Sequence, residues 1–246
     1  MVQAHPGPHK INLIEADEVL FLYDSIMYIE IIPKIFSGYS NIIGKDRYLN
    51  AAVLIPIILI SGKEYLLFEK RSASVRQPGE ISFPGGHYEA NLDSDFMDTA
   101  IRETVEELGL QRNKITVLGK LGTLVTPMGI IVETFVGKIE INSLDELKYD
   151  INEVDKIFLV PLDFFIHTEP GVYENQLQLH PFIVDESGEK IDLLPVKELG
   201  LPERYANPWK KGKHRVLVYR YQDEIIWGIT AELIYELANR IRKIYE

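Results

Sequence analysis

The sequence predicts an α/β (α+β) domain built around one short acidic helix, and three observations carry that expectation. Ala51 to Leu59 is a continuous apolar run rich in β-branched residues, as in a strand buried on both faces. Phe96, Met97, Ala100, Ile101, Val105 and Leu108 recur at helical spacing and would form one apolar stripe. The chain then returns to strand-like segments at 115–118, 121–125 and 130–139, and closes on an amphipathic helix from Glu232 to Tyr245.

Taken in order, the first nine residues are polar and carry no element. Ile11 to Ile14 and Val19 to Tyr23 read as strands, and Ile26 to Phe36 as a strand or short helix. Residues 1–46 are therefore taken as an N-terminal extension that packs on the domain or makes a dimer contact. Pro56 removes one ladder donor from the apolar run, which predicts an edge position or a bulge. Ser61-Gly62-Lys63-Glu64 is a turn, and Tyr65 to Lys70 the returning strand. For the helix, Asp93 or Ser94 can serve as cap, Asp98 suits the first turn and Gly109 the left-handed stop.

From about 167 to 213 the pattern loosens, with turns at Pro170-Gly171, Asp185 to Gly188 and Pro202. A hairpin strand is expected in 173–184, and a strand or short helix in 190–199. This stretch reads as an insertion, part of a substrate pocket or a dimer surface. Val216 to Tyr221 is a strand, Asp223-Glu224 a turn, and Ile225 to Ala231 leads into the last helix.

Composition bounds the function. The 246 residues carry a net charge of −11, which argues against a nucleic-acid partner and against an anionic membrane surface. The longest apolar run is too short to span a bilayer. With no Cys, disulfides, thiolate metal sites and a thiol nucleophile are excluded, and a cytoplasmic location is expected.

The chemistry concentrates on the helix. Glu103, Glu106 and Glu107 share a face at spacings of three and four, where like charges repel by a few tenths of a kcal/mol, roughly. No Lys is interleaved to relieve them. A solvated acidic face would look the same, but three clustered carboxylates also meet the needs of a hard divalent cation, Mg2+ or Mn2+. Upstream, Arg71 and Arg76 place two guanidiniums in the loop before Gly85-Gly86. Their planar forks suit phosphate, and a surface ion pair is the alternative.

Arg102-Glu103-Thr104-Val105-Glu106-Glu107-Leu108-Gly109-Leu110, with Phe83-Pro84-Gly85-Gly86 upstream, resembles the Nudix box of the Nudix hydrolases. The order RSxxxRxxGxxxFPGG from Arg71 resembles the further signature of that family's coenzyme A pyrophosphatase branch. It is one residue short between the second Arg and the Gly. The box's first acid falls on Ser94, and Asp93 or Asp95 can take its place. Asn152 to Leu162 resembles the Nudix strand in which Glu-Val precedes Val-Pro, making Glu153 a further candidate ligand or an exposed strand-start Glu.

The resemblance implies a Nudix domain over 47–237, with 238–246 as the end of the C-terminal helix. It implies a mixed β-sheet sandwiched between helices, with a loop-helix-loop catalytic motif. It implies metal-dependent hydrolysis of the diphosphate bond of coenzyme A (CoA) or its derivatives, giving 4′-phosphopantetheine and adenosine 3′,5′-bisphosphate. Glu103, Glu106 and Glu107 would hold Mg2+ or Mn2+, Arg102 would orient a box Glu, and Arg71, Arg76, Gly85 and Gly86 would meet the substrate. The basic patch Trp209 to Arg215 reads either as a solvated loop or as a dock for adenine and the 3′-phosphate. Two other functions fit the same motif: cleavage of another nucleoside diphosphate derivative, such as an ADP-sugar or NADH, and a non-catalytic nucleotide-binding module.

Overall fold

The structure is a computed structural model, and it describes residues 42–245. The chain divides into two compact units, Met1–Lys45 and Asp46–Glu246. The elements expected between 11 and 36 lie outside the described residues, so the architecture is that of the second unit.

Strands β1 (Leu49–Ile60) and β2 (Lys63–Arg71) form a hairpin. Short β3 (Ile81–Ser82) and β4 (Gly85–His87) follow, then helix α1 (Phe96–Leu108). Next come β5 (Ile115–Val125), β6 (Ile130–Ile139) and β7 (Val154–Pro161). These seven strands make one sheet in the order β3-β2-β1-β6-β5, with β4 along β1 and β7 along β2. The β1–β6 pair is parallel and the other pairs are antiparallel, so the sheet is mixed.

The remaining elements are α2 (Leu162–His167), β8 (Gly171–Leu179), β9 (Phe182–Val184) and β10 (Lys190–Asp192). Then β11 (Trp209–Tyr221), β12 (Glu224–Trp227) and α3 (Gly228–Tyr245) complete the chain. A second sheet runs β12-β11-β8, and β9 pairs with β10 alone.

The apolar run is continuous because β1 is buried on both faces. Ala52 and Leu54 pack with Ala100 of α1, whereas Val53, Ile55 and Ile57 belong to the cluster built on Phe165, Leu233, Ile234 and Leu237 of α2 and α3. The sheet is thus sandwiched between helices, as expected. Pro56 does not mark an edge: β1 is central. The residue falls between two antiparallel registers, 51–53 with β4 and 57–60 with β2, at a position those ladders leave out.

Two expected strands, 115–118 and 121–125, are one. Register shifts at Val117/Gly119 and Lys120/Gly122 absorb the polar Gly119-Lys120 break that reads as a loop in the sequence. The loosely patterned stretch from 167 to 213 is also more regular than expected. β8 pairs with β11 from Gly171↔Val218 to Leu179↔Trp209, so Trp209 to Arg215 is strand, not a solvated loop. Nearly all of β8 is exposed, and without a buried face the period of two leaves no apolar alternation to read.

Candidate active site

The site lies where β2, β4 and α1 meet. Phe83 is buried and stacks on Phe68 of β2 at 4.9 Å, which pins the Phe-Pro-Gly-Gly turn to the sheet. Truncating such a ring costs about 3–5 kcal/mol. β4 then runs beside β1 so closely that a Cβ on Gly85 would lie 2.4 Å from the Ala52 carbonyl oxygen. A Cβ on Gly86 would lie 2.3 Å from the Glu103 carboxylate. The Gly85 amide donates to Glu107 Oε2 at 2.9 Å. The two glycines therefore seat two of the helix carboxylates.

Helix α1 is capped by Asp95, whose side chain accepts from the Asp98 amide at 2.8 Å, rather than by Asp93 or Ser94. Gly109 ends it at φ 62°, as expected. Its buried face differs from the expected stripe: Thr99 and Thr104 are buried with Ala100, Ile101 and Leu108, while Met97 is exposed. Both threonines keep their hydroxyls satisfied, Thr104 by the Ala100 carbonyl and Thr99 by Asp93.

Of the two candidates for the box's first acid, Asp93 is the one that meets Arg102. It is 4% exposed and accepts from Arg102 Nε at 2.8 Å and Nη2 at 3.1 Å. That guanidinium holds the Asp93 carboxyl down at about 2, and the Asp93 carboxylate in turn pushes Arg102 further up. Arg102 Nη1 also pairs with Glu103 at 2.9 Å and Glu106 at 3.1 Å. Arg102 thus ties Asp93 to two of the box carboxylates.

The carboxylates divide by position. Glu103, Glu107 and Glu153 line a polar pocket of about 170 Å³ together with Arg71 and Glu69. Glu106 is 57% exposed in its side chain and stays outside it, held to Arg102. Glu153 arrives because the Ser72 amide donates to its carbonyl at 2.9 Å and the Ser72 hydroxyl bonds the Asn152 carbonyl. Glu69 is the residue the sequence reading missed. It is 2% exposed, on the same face of β2 as Leu67 and Arg71, and an acid at an inward position of Leu66-Leu67-Phe68-Glu69 was the available signal.

Burial, and for Glu69 and Glu107 their neighbouring carboxylates, push Glu69, Glu103 and Glu107 above the usual carboxylate range. Among the described residues no three acidic or imidazole side chains converge at metal-ligand geometry. Arg102 holds Glu103 and the Gly85 amide holds Glu107, as repulsion between uncompensated carboxylates favours. The donor set nevertheless fits a hard cation: four carboxyl groups face one guanidinium, and Glu69 Oε1 is buried without a hydrogen-bond partner.

A larger cleft of about 580 Å³ adjoins this pocket, and Arg71 lines both. The Arg71 Nε donates to the Arg76 carbonyl at 2.9 Å, whereas the Arg76 side chain is exposed and lines neither cavity. The cleft is mainly apolar, with Phe83, Leu124, Met128 and Trp227 in its walls. From the basic patch it receives His214 and Arg215, while Lys213 pairs with Glu174 across the second sheet.

The sequence has relatives. A Nudix hydrolase, NudL, of Photorhabdus laumondii, itself described as uncharacterized, is 32% identical over 80% of this chain and 87% of its own. The chain belongs to the Nudix hydrolases. The NUDIX domain model matches residues 49–169, which reaches from β1 through α2 and includes every carboxylate of the pocket. Two mouse (Mus musculus) proteins are similar over shorter spans. The peroxisomal coenzyme A diphosphatase NUDT7 is 38% identical over 50% of this chain and 50% of its own. The mitochondrial coenzyme A diphosphatase NUDT8 is 34% identical over 54% of this chain and 64% of its own. The Nudix match stops before β8, so the cleft walls contributed by β11, β12 and α3 lie outside it.

Proposed function

We propose that this Nudix hydrolase cleaves the diphosphate bond of CoA or its derivatives, releasing 4′-phosphopantetheine and adenosine 3′,5′-bisphosphate. The observation that carries the reading is the shared wall. Arg71 stands between a pocket of carboxylates and a cleft large enough for an organic moiety, where a diphosphate joining two such parts would lie. Similarity to two coenzyme A diphosphatases supports the choice of substrate.

The cation we assign is Mg2+ or Mn2+, with Glu103 and Glu107 as inner donors, Glu106 at the rim and Glu153 as a further ligand. When bound, such an ion offsets phosphate charge and acidifies a coordinated water. The chain's own groups do the rest. The Arg71 fork binds phosphoryl oxygens, its plane set by the Arg76 carbonyl. Gly85 and Gly86 hold Glu107 and Glu103 in register with the substrate, and Arg102, locked by Asp93, fixes the helix carboxylates. A carboxylate of the pocket takes the proton of the attacking water. We further assign the working compartment to the cytoplasm, in keeping with a cysteine-free chain. No helix among the described residues is long and apolar enough to cross a membrane.

The test is mass spectrometry of products from CoA, acetyl-CoA, NADH and ADP-ribose, with and without Mg2+ or Mn2+. Fastest formation of phosphopantetheine, and only with metal, is expected. Cleavage of NADH or ADP-ribose but not CoA would remove the substrate assignment.

A further inference from the structure

We infer that Glu69 on β2 is a ligand of the cation site, in the pocket it lines together with Glu103 and Glu107 of the helix. The inference rests on the metal-dependent reading above, and it adds a residue that lies outside the box motif.

Three observations carry it. First, position: β2 alternates, with Leu66 and Phe68 turned to the α2/α3 side and Leu67 to the side covered by α1, so Glu69 and Arg71 continue the α1-facing row. Glu69 therefore meets Glu103, Glu107 and Glu153 inside one pocket instead of facing solvent. Second, incomplete satisfaction: Glu69 is 2% exposed, its Oε1 has no hydrogen-bond partner, and the side chain it does reach is another carboxyl of the pocket, Glu107. A buried carboxylate serving the fold would be satisfied, as Asp93 is by Arg102, Thr99 and the Glu89 amide. Leaving such an oxygen unpaired is costly, and coordinating a bound ion would recover that cost. Third, charge: four carboxyl groups line the pocket with Arg71, and Arg102 pairs with Glu103 from outside it, which leaves an excess that a divalent cation neutralises.

The neighbours place Glu69 well for this. β3 pairs Ser82 with it on one side and β7 pairs Ile157 on the other, so it sits in the sheet interior on a rigid strand. Glu103 and Glu107 come from the helix, and Glu153 from the loop entering β7. A ligand set drawn from strand, helix and loop would surround an ion, whereas the helix alone offers one side of it.

The test is Mn2+ binding to the full chain, followed by the electron paramagnetic resonance signal of free Mn2+, beside thermal unfolding of the metal-free protein. Glu69→Gln is expected to weaken Mn2+ binding at least about tenfold while leaving metal-free Tm unchanged or higher. Glu69→Asp, which keeps the carboxylate, should regain part of the affinity. Parental Mn2+ affinity in Glu69→Gln would overturn the assignment, as would a wild-type protein that binds no Mn2+. Unfolding of both variants without metal would mark a structural role and overturn it equally. A wild-type protein that binds Mn2+ through Glu69 yet leaves CoA intact would fail the substrate reading while sustaining this one.

Discussion

Gly85 and Gly86 are adjacent, but an added methyl should have opposite consequences at the two positions. On Gly86 the atoms nearest the new Cβ would be the end of the Glu103 side chain, 2.3 Å from Cδ and Oε1 and 2.6 Å from Oε2. A flexible side chain can retreat, and Gly86 does not occupy the left-handed region, so the backbone tolerates Ala. To reach an ordinary contact the carboxylate must move by about 1 Å, a misplacement that can lower turnover by on the order of 100-fold. The stability change should stay within about 1 kcal/mol. On Gly85 the Cβ would meet main chain instead, 2.4 Å from the Ala52 oxygen and 2.7 Å from Val53 Cα. There β4 must separate from β1, which costs about 3 kcal/mol. The assay pairs kcat/KM for CoA hydrolysis with thermal unfolding of both variants. Gly86→Ala should unfold like the parent and turn over poorly, and Gly85→Ala should lose stability first. A Gly86→Ala protein with parental kcat/KM would refute the claim that this glycine seats Glu103 for catalysis.

Other outcomes follow from the same geometry. Arg71→Ala should lower kcat/KM for CoA by on the order of 100-fold, and Arg76→Ala by much less, because Arg76 acts through its carbonyl; equal losses in steady-state assays would contradict that division. Glu106→Gln should keep the fold and lower kcat by on the order of 100-fold, as loss of a metal donor does; near-parental turnover would remove Glu106 from the site. Asp93→Asn should cost about 2 kcal/mol in urea unfolding near pH 7, since Asp93 is held at about 2 against 3.8 when unfolded. A lowered carboxylate pKa stabilises above the unfolded value and loses that contribution as pH falls through the folded one. The gap between parent and Asp93→Asn should therefore be full above pH 4 and close towards pH 2, and a gap independent of pH would contradict the ion-pair account.

Much of this was legible in the chain, because its strongest patterns are local. The helix with Glu103, Glu106 and Glu107 has both period and stop signal within fifteen residues. β1 declared itself because burial on both faces leaves an unbroken apolar run. What escaped depends on partners far away in sequence. Pro56 looked like an edge signal because only the tertiary pairing shows β1 changing neighbours at that point. The first half of β11 read as a solvated loop or a dock, and the expected hairpin strand over 173–184 had no visible partner, because their pairing leaves β8 exposed along most of its length. Glu69 was hidden for the opposite reason: one acid at the end of an apolar strand is unremarkable until the fold closes α1 and the 153 loop over it. The division of the box carboxylates, with Glu106 outside the pocket, is likewise invisible in spacing and follows from Arg102 being anchored to Asp93.

The most direct measurement is the time course of 4′-phosphopantetheine release from CoA by the parent protein and by Glu107→Gln, with and without Mn2+. The account predicts release by the parent only when metal is present, and a loss of at least about 100-fold in the variant. Metal-independent release, or undiminished release by Glu107→Gln, would contradict a carboxylate-held cation as the centre of this site.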